Sequence, residues 1–354
     1  MRVLVTGHNG YIGTVMTRLL REASHDVNGL DTYYFEHCNL GPEPPDIPAL
    51  RLDLRDVREE HLAGCDAIIH LAALSNDPLA NLNADTTYAI NHRASVRLAQ
   101  RAKAAGVRRF LFASSCSLYG VAADEMLSED AAFNPITPYG ESKVLVERDV
   151  KALADDHFSP VFLRNATVYG LSPQLRLDVV VNNLVGVALA TGEILVESDG
   201  TPWRPLVHVE DFCRAFLAVL HAPSEQVHNE AFNVGRTEEN YRVSELAEFV
   251  RQAAPGTTVR YAEGGGPDPR SYRVSCDKLA RTLPEFRPRW TVRQGIEQLV
   301  AGYRASGFST DEFHGPRYFR IKRIQELQHE GRLDTELHWT SRLAPQRAPA
   351  EVTP

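Results

Sequence analysis

Along the first half of the chain, short apolar and largely β-branched runs alternate with longer stretches whose apolar residues recur at helical spacing. Arg2–Thr6 is the first such run, and it ends at a glycine, the pattern of a buried strand. Val15, Met16, Leu19 and Leu20 then line one face of a helix predicted over Thr14–Ala23. A second strand is predicted over Asp26–Asp31, followed by a Gly- and Pro-rich loop, Gly41–Pro48, and a strand ending Leu50–Leu54. The same rhythm predicts a helix over Asp56–Ala63, a buried strand over Asp66–Ala73, a long helix over Ala84–Ala105 and a strand over Arg108–Ser115. Strands alternating with helices imply a doubly wound parallel α/β sheet, with ligands held at the carboxyl ends of its strands.

The second half loses this regularity. After a strand at Pro160–Asn165, helical periodicity marks Asp178–Thr191, Phe212–His221, Val243–Ala253 and Thr291–Arg304. Short strands at Ile194–Glu197, Ala231–Val234 and Val259–Tyr261 are interspersed among them, which predicts a smaller α+β lobe. The expected division is a first lobe over 1–166, a second over 167–310 and a tail over 311–354, with the two lobes interleaved in sequence. The tail reads as a charged helix over Pro316–Gly331, either a solvated face or an oligomer contact, and then a Pro/Ala-rich end expected to be disordered.

Composition narrows the classes. At 354 residues with 24% charged side chains and a net charge of -8, the chain supports a large core and carries no basic footprint for nucleic acid. No apolar run is long enough to span a membrane, and Met1 leads straight into a strand, so a cytoplasmic protein is expected. The five cysteines, Cys38, Cys65, Cys116, Cys213 and Cys276, are scattered without metal-ligand spacing and read as reduced thiols.

The most informative junction lies between the first strand and the first helix. Gly7-His8-Asn9-Gly10-Tyr11-Ile12-Gly13 supplies glycines for a tight turn, for close approach of backbone to a pyrophosphate, and for packing of helix on strand. The helix start beyond it offers N–H groups and a positive dipole end to phosphate. Asp31 closes the second strand where a carboxylate takes the ribose hydroxyls of a dinucleotide, and no arginine follows it to balance a 2′-phosphate. The turn therefore predicts a Rossmann-type NAD site built from Gly7, Asn9, Gly10, Tyr11, Ile12, Gly13 and Asp31. Leu71, Ala72 and Ala73 at the end of the fourth strand let the cofactor approach, and Asn91 on the long helix is assigned to the same site.

Ser114-Ser115-Cys116-Ser117 ends the strand after the long helix. Tyr139-Gly140-Glu141-Ser142-Lys143 follows Pro138, a residue suited to a helix start, so Tyr139 and Lys143 share one helix face. Lys143 and an oxidised nicotinamide would favour the Tyr139 phenolate, which could then take a proton from a substrate hydroxyl while hydride leaves. Ser115 would hydrogen bond to the same oxygen.

These motifs resemble the extended short-chain dehydrogenase/reductase family, which contains nucleotide-sugar epimerases and dehydratases. The resemblance reaches to about residue 300. It implies Ser115, Tyr139 and Lys143 as the catalytic set, with Lys143 also on the nicotinamide ribose. It places Asp53 and Leu54 against the adenine, though Asp53 equally suits a helix cap. It assigns a nucleotide-diphosphate sugar to Ser115, Cys116, Ser117, Thr167, Asn182, Asn183, Leu184, Arg204 and Arg270. Within Trp203–Asp211, Arg204 would meet the diphosphate, while His208 and Asp211 tie strand to helix. Glycine stands in the Gly264–Tyr272 loop where relatives carry arginine, with Arg270 a few residues later. The resemblance also implies a homodimer through Ala84–Ala105 and Pro138–Asp156.

The family's 4,6-dehydratases carry Asp-Glu after the serine, where this chain has Cys116-Ser117. Cys116 reads as a carbon-acid base or as an inert buried thiol. The minimal Ser/Tyr/Lys set then implies 4-epimerisation of a nucleotide sugar through a 4-keto intermediate. Net redox by a ketoreductase or dehydrogenase, UDP-glucuronate decarboxylation, and a non-catalytic NAD-sensing protein are the alternatives.

Overall fold

A computed structural model describes residues 1–121, 125–262 and 271–341. β1 (Arg2–Thr6), β2 (Asp26–Asp31), β3 (Ala49–Arg51), β4 (Ala67–His70), β5 (Arg109–Ser115), β6 (Ser159–Asn165) and β7 (Ala231–Val234) form one sheet in the order β7-β6-β5-β4-β1-β2-β3. Every pairing in it is parallel. Such a sheet needs cover on both faces, and the interiors of its central strands β1, β4 and β5 are accordingly apolar and buried. On one face lie Val15, Met16 and Leu20 of α1 (Gly13–Glu22), with Phe212, Phe216 and Val219 of a helix over Val209–His221. On the other lie Leu98, Ala99 and Ala102, with Val146 and Val150 of α2 (Pro138–Lys151). The strand order reverses between β1 and β4, which opens a crevice at their carboxyl ends. His70 ends β4 there as a neutral structural group. It is hydrogen bonded to Thr6 at 2.6 Å and Ser95 at 2.8 Å, and burial pushes its pKa down to about 3.

The second lobe is built on a three-stranded sheet of Thr167–Tyr169, Trp203–His208 and Asn240–Arg242. Its core is formed by Val181, Val185, Leu246, Val250, Ile296, Leu299 and Tyr303 from three surrounding helices. Trp203–His208 runs into its helix through His208, whose ring accepts from the Glu210 amide at 3.3 Å and stacks on Trp290 at 4.2 Å. Asp211 accepts from the Arg289 and Trp290 amides at 2.8 and 2.7 Å.

Three elements depart from the periodicity. The helix expected over Asp56–Ala63 is instead two 3-10 turns, Leu54–Asp56 and Glu59–Leu62, because Val57 between them is extended and buried. The strand expected over Asp66–Ala73 pairs only over Ala67–His70, and its last residues leave the sheet to border the crevice. The long helix begins with an α turn at Ala84–Thr87, widens into a π-helical stretch at Tyr88–Ala94 and resumes as Ser95–Ala104. The widened turn carries Asn91, whose amide accepts from the Leu74 N–H at 2.8 Å and donates to its carbonyl at 3.0 Å.

The tail is docked on the first lobe. Its helix, α3 (Arg320–His329), presents Ile324 and Leu327, which with Leu333 and Leu337 cluster on Tyr34, Leu74, Leu79 and Ile90. The Tyr34 hydroxyl donates to the Leu337 carbonyl at 2.5 Å and the Trp339 indole to that of Thr32 at 2.8 Å. The charged residues of this helix read as a solvated face or an oligomer contact, while its Ile324 and Leu327 pack within the chain. The Pro/Ala-rich end lies outside the described residues. Among those described, no helix is long and apolar enough to cross a membrane.

Candidate active site

Gly7 adopts φ +73, and a Cβ there would lie 2.9 Å from the Ala72 nitrogen. A Cβ on Gly13 would come within 2.1 Å of the Gly7 carbonyl, so α1 can begin this close to β1 only with glycine. Tyr11 fastens the turn to the second lobe. Its hydroxyl donates to the Gly170 carbonyl at 2.7 Å, and its own carbonyl accepts from Ser172 at 2.6 Å. Asp31 accepts from the Asn9 amide at 3.1 Å and the Tyr33 amide at 2.7 Å, which fixes the carboxylate at the end of β2.

These groups border a cleft of about 940 Å³, open at its mouth. Gly7, Gly10, Tyr11, Ile12, Gly13, Asp31, Asp53, Leu54, Leu71, Ala72 and Ala73 all line it. A backbone cradle that Cβ atoms would fill, a carboxylate at one end and small residues opposite fit an NAD molecule. Asn91 is not among the lining residues; it holds Leu74, which is. Asp53 lines the cleft and also caps the first 3-10 turn through the Arg55 amide, while its carboxylate pairs with the Arg55 guanidinium at 2.6 Å. Arg51 stacks 4.1 Å over the Tyr33 ring and pairs with Glu36. Both arginines near the ribose end are thus engaged by carboxylates, although sequence proximity to Asp31 does not reveal them.

Beyond β5, Thr137 caps α2 by accepting from the Gly140 amide at 3.2 Å, and Pro138 occupies the first turn. This start sets Tyr139 and Lys143 one helical turn apart beside the end of β5. The Lys143 ammonium donates to the Ala113 carbonyl at 2.8 Å and lies 5.5 Å from the centroid of the Tyr139 ring. Ser115 hydrogen bonds with Tyr139 and accepts from the Ser117 amide and hydroxyl at 3.2 and 2.8 Å. Burial raises the Tyr139 pKa to about 12 against the opposing Ser115 bond. It lowers that of Lys143 to about 7, with Glu147 opposing. The protein alone therefore does not produce the activated phenol expected from the Tyr–Lys spacing.

This has a measurable consequence in the ligand-free protein. Lys143 titrates near 7 when folded and near its ordinary value of about 10.4 when unfolded. Between those values the unfolded chain binds a proton that the folded one refuses, so this group makes stability rise with pH. The denaturation midpoint of the wild type should climb from pH 7 to 9 relative to Lys143→Met. Parallel profiles for the two proteins would contradict it.

The substrate side is less convergent. Cys116 is fully buried with its thiol donating to the Arg164 carbonyl at 3.2 Å, and burial pushes its pKa well up, so it is an inert core thiol rather than a substrate contact. Asn182 is buried too: its amide accepts from the Gly170 N–H at 3.0 Å and donates to the Arg176 carbonyl at 3.0 Å and the Tyr11 hydroxyl at 3.2 Å. Asn183 donates to the Leu177 carbonyl at 3.0 Å, and Leu184 belongs to the second core. Ser117, Thr167 and Arg204 remain half-buried, Arg204 donating to the Trp203 carbonyl at 2.9 Å. Arg270 and most of the Gly264–Tyr272 loop lie outside the described residues.

Among the cleft residues that sequence reasoning does not find are two arginines, Arg176 and Arg320. Arg176 pairs with Asp178 at 2.7 Å and donates to Ser75 at 3.0 Å. Neither stands in a motif with a distinctive spacing. Among the described residues no cluster of side chains suits a metal ion.

The glycine turn and Asp31 thus border a cleft that fits a dinucleotide, and Ser115, Tyr139 and Lys143 gather at the end of β5. The chain belongs to the NAD dependent epimerase/dehydratase family, whose model matches residues 3–235. It is 29% identical over 326 residues to a UDP-glucose 4-epimerase of Lactobacillus helveticus, covering 85% of this chain and 95% of that protein. It is 26% identical to UDP-glucuronic acid decarboxylase 1 of Arabidopsis thaliana, over 89% of this chain and 72% of that one. The structure of MoeE5 in complex with UDP-glucuronic acid and NAD superposes with a TM-score of 0.76 at 27% identity, over 86% of this chain and 100% of that one.

Proposed function

We propose that the protein is a nucleotide-sugar 4-epimerase that oxidises C4 of a nucleoside-diphosphate sugar and returns the hydride to the opposite face. The observation that carries this reading is the end of β5. Ser115 and Ser117 face Tyr139 as hydroxyls, Cys116 is turned into the core, and no carboxylate follows Ser115 to eliminate water across C5 and C6. Bound NAD supplies the hydride acceptor and a positive ring charge near the phenol. Tyr139 takes the C4 hydroxyl proton and gives it back, Ser115 holds the same oxygen, and Lys143 orients the ribose and favours the phenolate. The substrate diphosphate falls to Arg204 in the second lobe.

A second reading, a uronate substrate that loses its carboxylate after C4 oxidation, is favoured by Arg176. This guanidinium is buried, lies within electrostatic reach of Tyr139, and keeps one nitrogen without a partner among the described residues. The test is to denature the purified protein, quantify the released nucleotide, and then incubate the holoenzyme with UDP-glucose, UDP-galactose and UDP-glucuronate without added NAD. Near-stoichiometric NAD with a C4 epimer as product is expected. A UDP-pentose with carbon dioxide would establish the second reading instead, and dependence on added NAD would overturn both.

A further inference from the structure

We propose that the C-terminal tail is a working part of the dinucleotide site, with Arg320 binding the diphosphate of the cofactor. Arg320 opens α3, more than 280 residues after the glycine turn, yet it lines the same cleft as Gly10, Tyr11, Ile12 and Asp31. It is 3% exposed. One nitrogen donates to the Gln174 carbonyl at 3.2 Å, and the guanidinium lies 4.1 Å over the Phe35 ring. Nη1 has no partner among the described residues, and no carboxylate there lies within ion-pair distance. A buried cation left this way is costly, and an anion in the cleft relieves it.

Its position selects which anion. The charged groups close enough to act on Arg320 are Arg176, Asp178, Cys38 and Asp31. Asp31 is the carboxylate expected at the ribose, and the glycine turn is the cradle expected at the phosphates. Arg320 borders the cleft together with both, which assigns its guanidinium to the diphosphate between them. A guanidinium supplies paired donors that match phosphate oxygens.

Arg320 is held there by the tail's apolar contacts, so cofactor binding and tail docking are reciprocally linked. Whatever the diphosphate contributes to Arg320 also tightens Ile324 and Leu327 onto Tyr34, Leu74 and Ile90. The inference rests on the family's use of NAD and not on which sugar reaction is catalysed.

Amide hydrogen exchange on the full-length protein, stripped of nucleotide, tests it with and without saturating NAD. Protection of both Gly10–Gly13 and Arg320–His329 is expected. Protection confined to the glycine turn would overturn the proposal. No protection at either place would overturn it together with the NAD assignment. A second measurement compares ADP and adenosine binding by calorimetry in Arg320→Gln and Arg320→Lys, each checked for native circular dichroism. The glutamine variant should bind ADP about 10- to 100-fold more weakly, with adenosine changed less than about twofold and lysine recovering part of the loss. Equal weakening of both ligands, or of neither, would overturn the role assigned to the guanidinium.

Discussion

Tyr139→Phe should turn over its nucleotide sugar about 10²- to 10⁴-fold more slowly than the wild type, the range lost when a positioned general acid–base is removed. The change deletes one oxygen and keeps the ring beside Lys143. The glycine turn and Asp31 are untouched, so the bound NAD content should be the same. Burial holds the phenol protonated, with the Ser115 hydrogen bond and the Arg176 charge pulling the other way. In the proposed mechanism, full activation waits for the charge that bound nicotinamide would bring, and the hydroxyl is the group through which that charge would act on substrate. Single-turnover reduction of bound NAD by substrate, followed at 340 nm, separates chemistry from binding. Retention of more than a tenth of wild-type turnover would remove Tyr139 from the mechanism.

Arg164→Leu should cost about 3–5 kcal/mol of stability, the loss expected when one partner of a buried ion pair is deleted. Glu147 and Arg164 are each 5% exposed and meet through bonds of 2.8, 3.1 and 3.2 Å. Ser114 donates to the same carboxylate at 2.5 Å, and Arg164 also donates to the Tyr119 hydroxyl at 3.1 Å and the Glu129 carbonyl at 2.8 Å. Leucine would leave the Glu147 charge unanswered between β5, β6 and α2. Because Glu147 lies one turn beyond Lys143 and favours its charged form, the damage reaches the catalytic helix as well. Urea denaturation measures the loss. The double variant Glu147→Gln/Arg164→Leu should recover part of it, since the buried charge is then gone. A midpoint shift worth under about 0.5 kcal/mol would show that the pair contributes nothing net.

The parts of the site that were legible in the sequence are those where backbone geometry restricts residue type. Gly7 needs a positive φ and Gly13 has no room for a side chain, so the turn declares itself. Tyr139 and Lys143 declare themselves because a helix start precedes them and four residues make one turn. The sheet was legible for a similar reason, since parallel strands covered on both faces are apolar runs. What was not legible depends on where a side chain turns once packed. Cys116 and Ser117 are adjacent in sequence, yet one enters the core and the other joins Ser115. Asn182 reads as a substrate-binding amide from the resemblance but is consumed by Tyr11, Gly170 and Arg176. Asn91 sits in a π-helical turn that periodicity reads as ordinary helix. Arg320 gave no signal at all, since a charged helix looks the same whether it faces water or a cleft.

The docked tail also sets the order in which the protein can be completed. Tyr34 and Leu337 are joined across 303 residues of chain, so the hydrophobic cluster around Tyr34, Leu74, Leu79 and Ile90 stays uncovered until residues Ile324 to Leu337 have been made. A nascent chain can pair β1, β2 and β4 early, but it carries a bare apolar patch throughout elongation, with the attendant risk of sticking to neighbours. The helix that seals the first lobe is therefore made only after the second lobe has been synthesised.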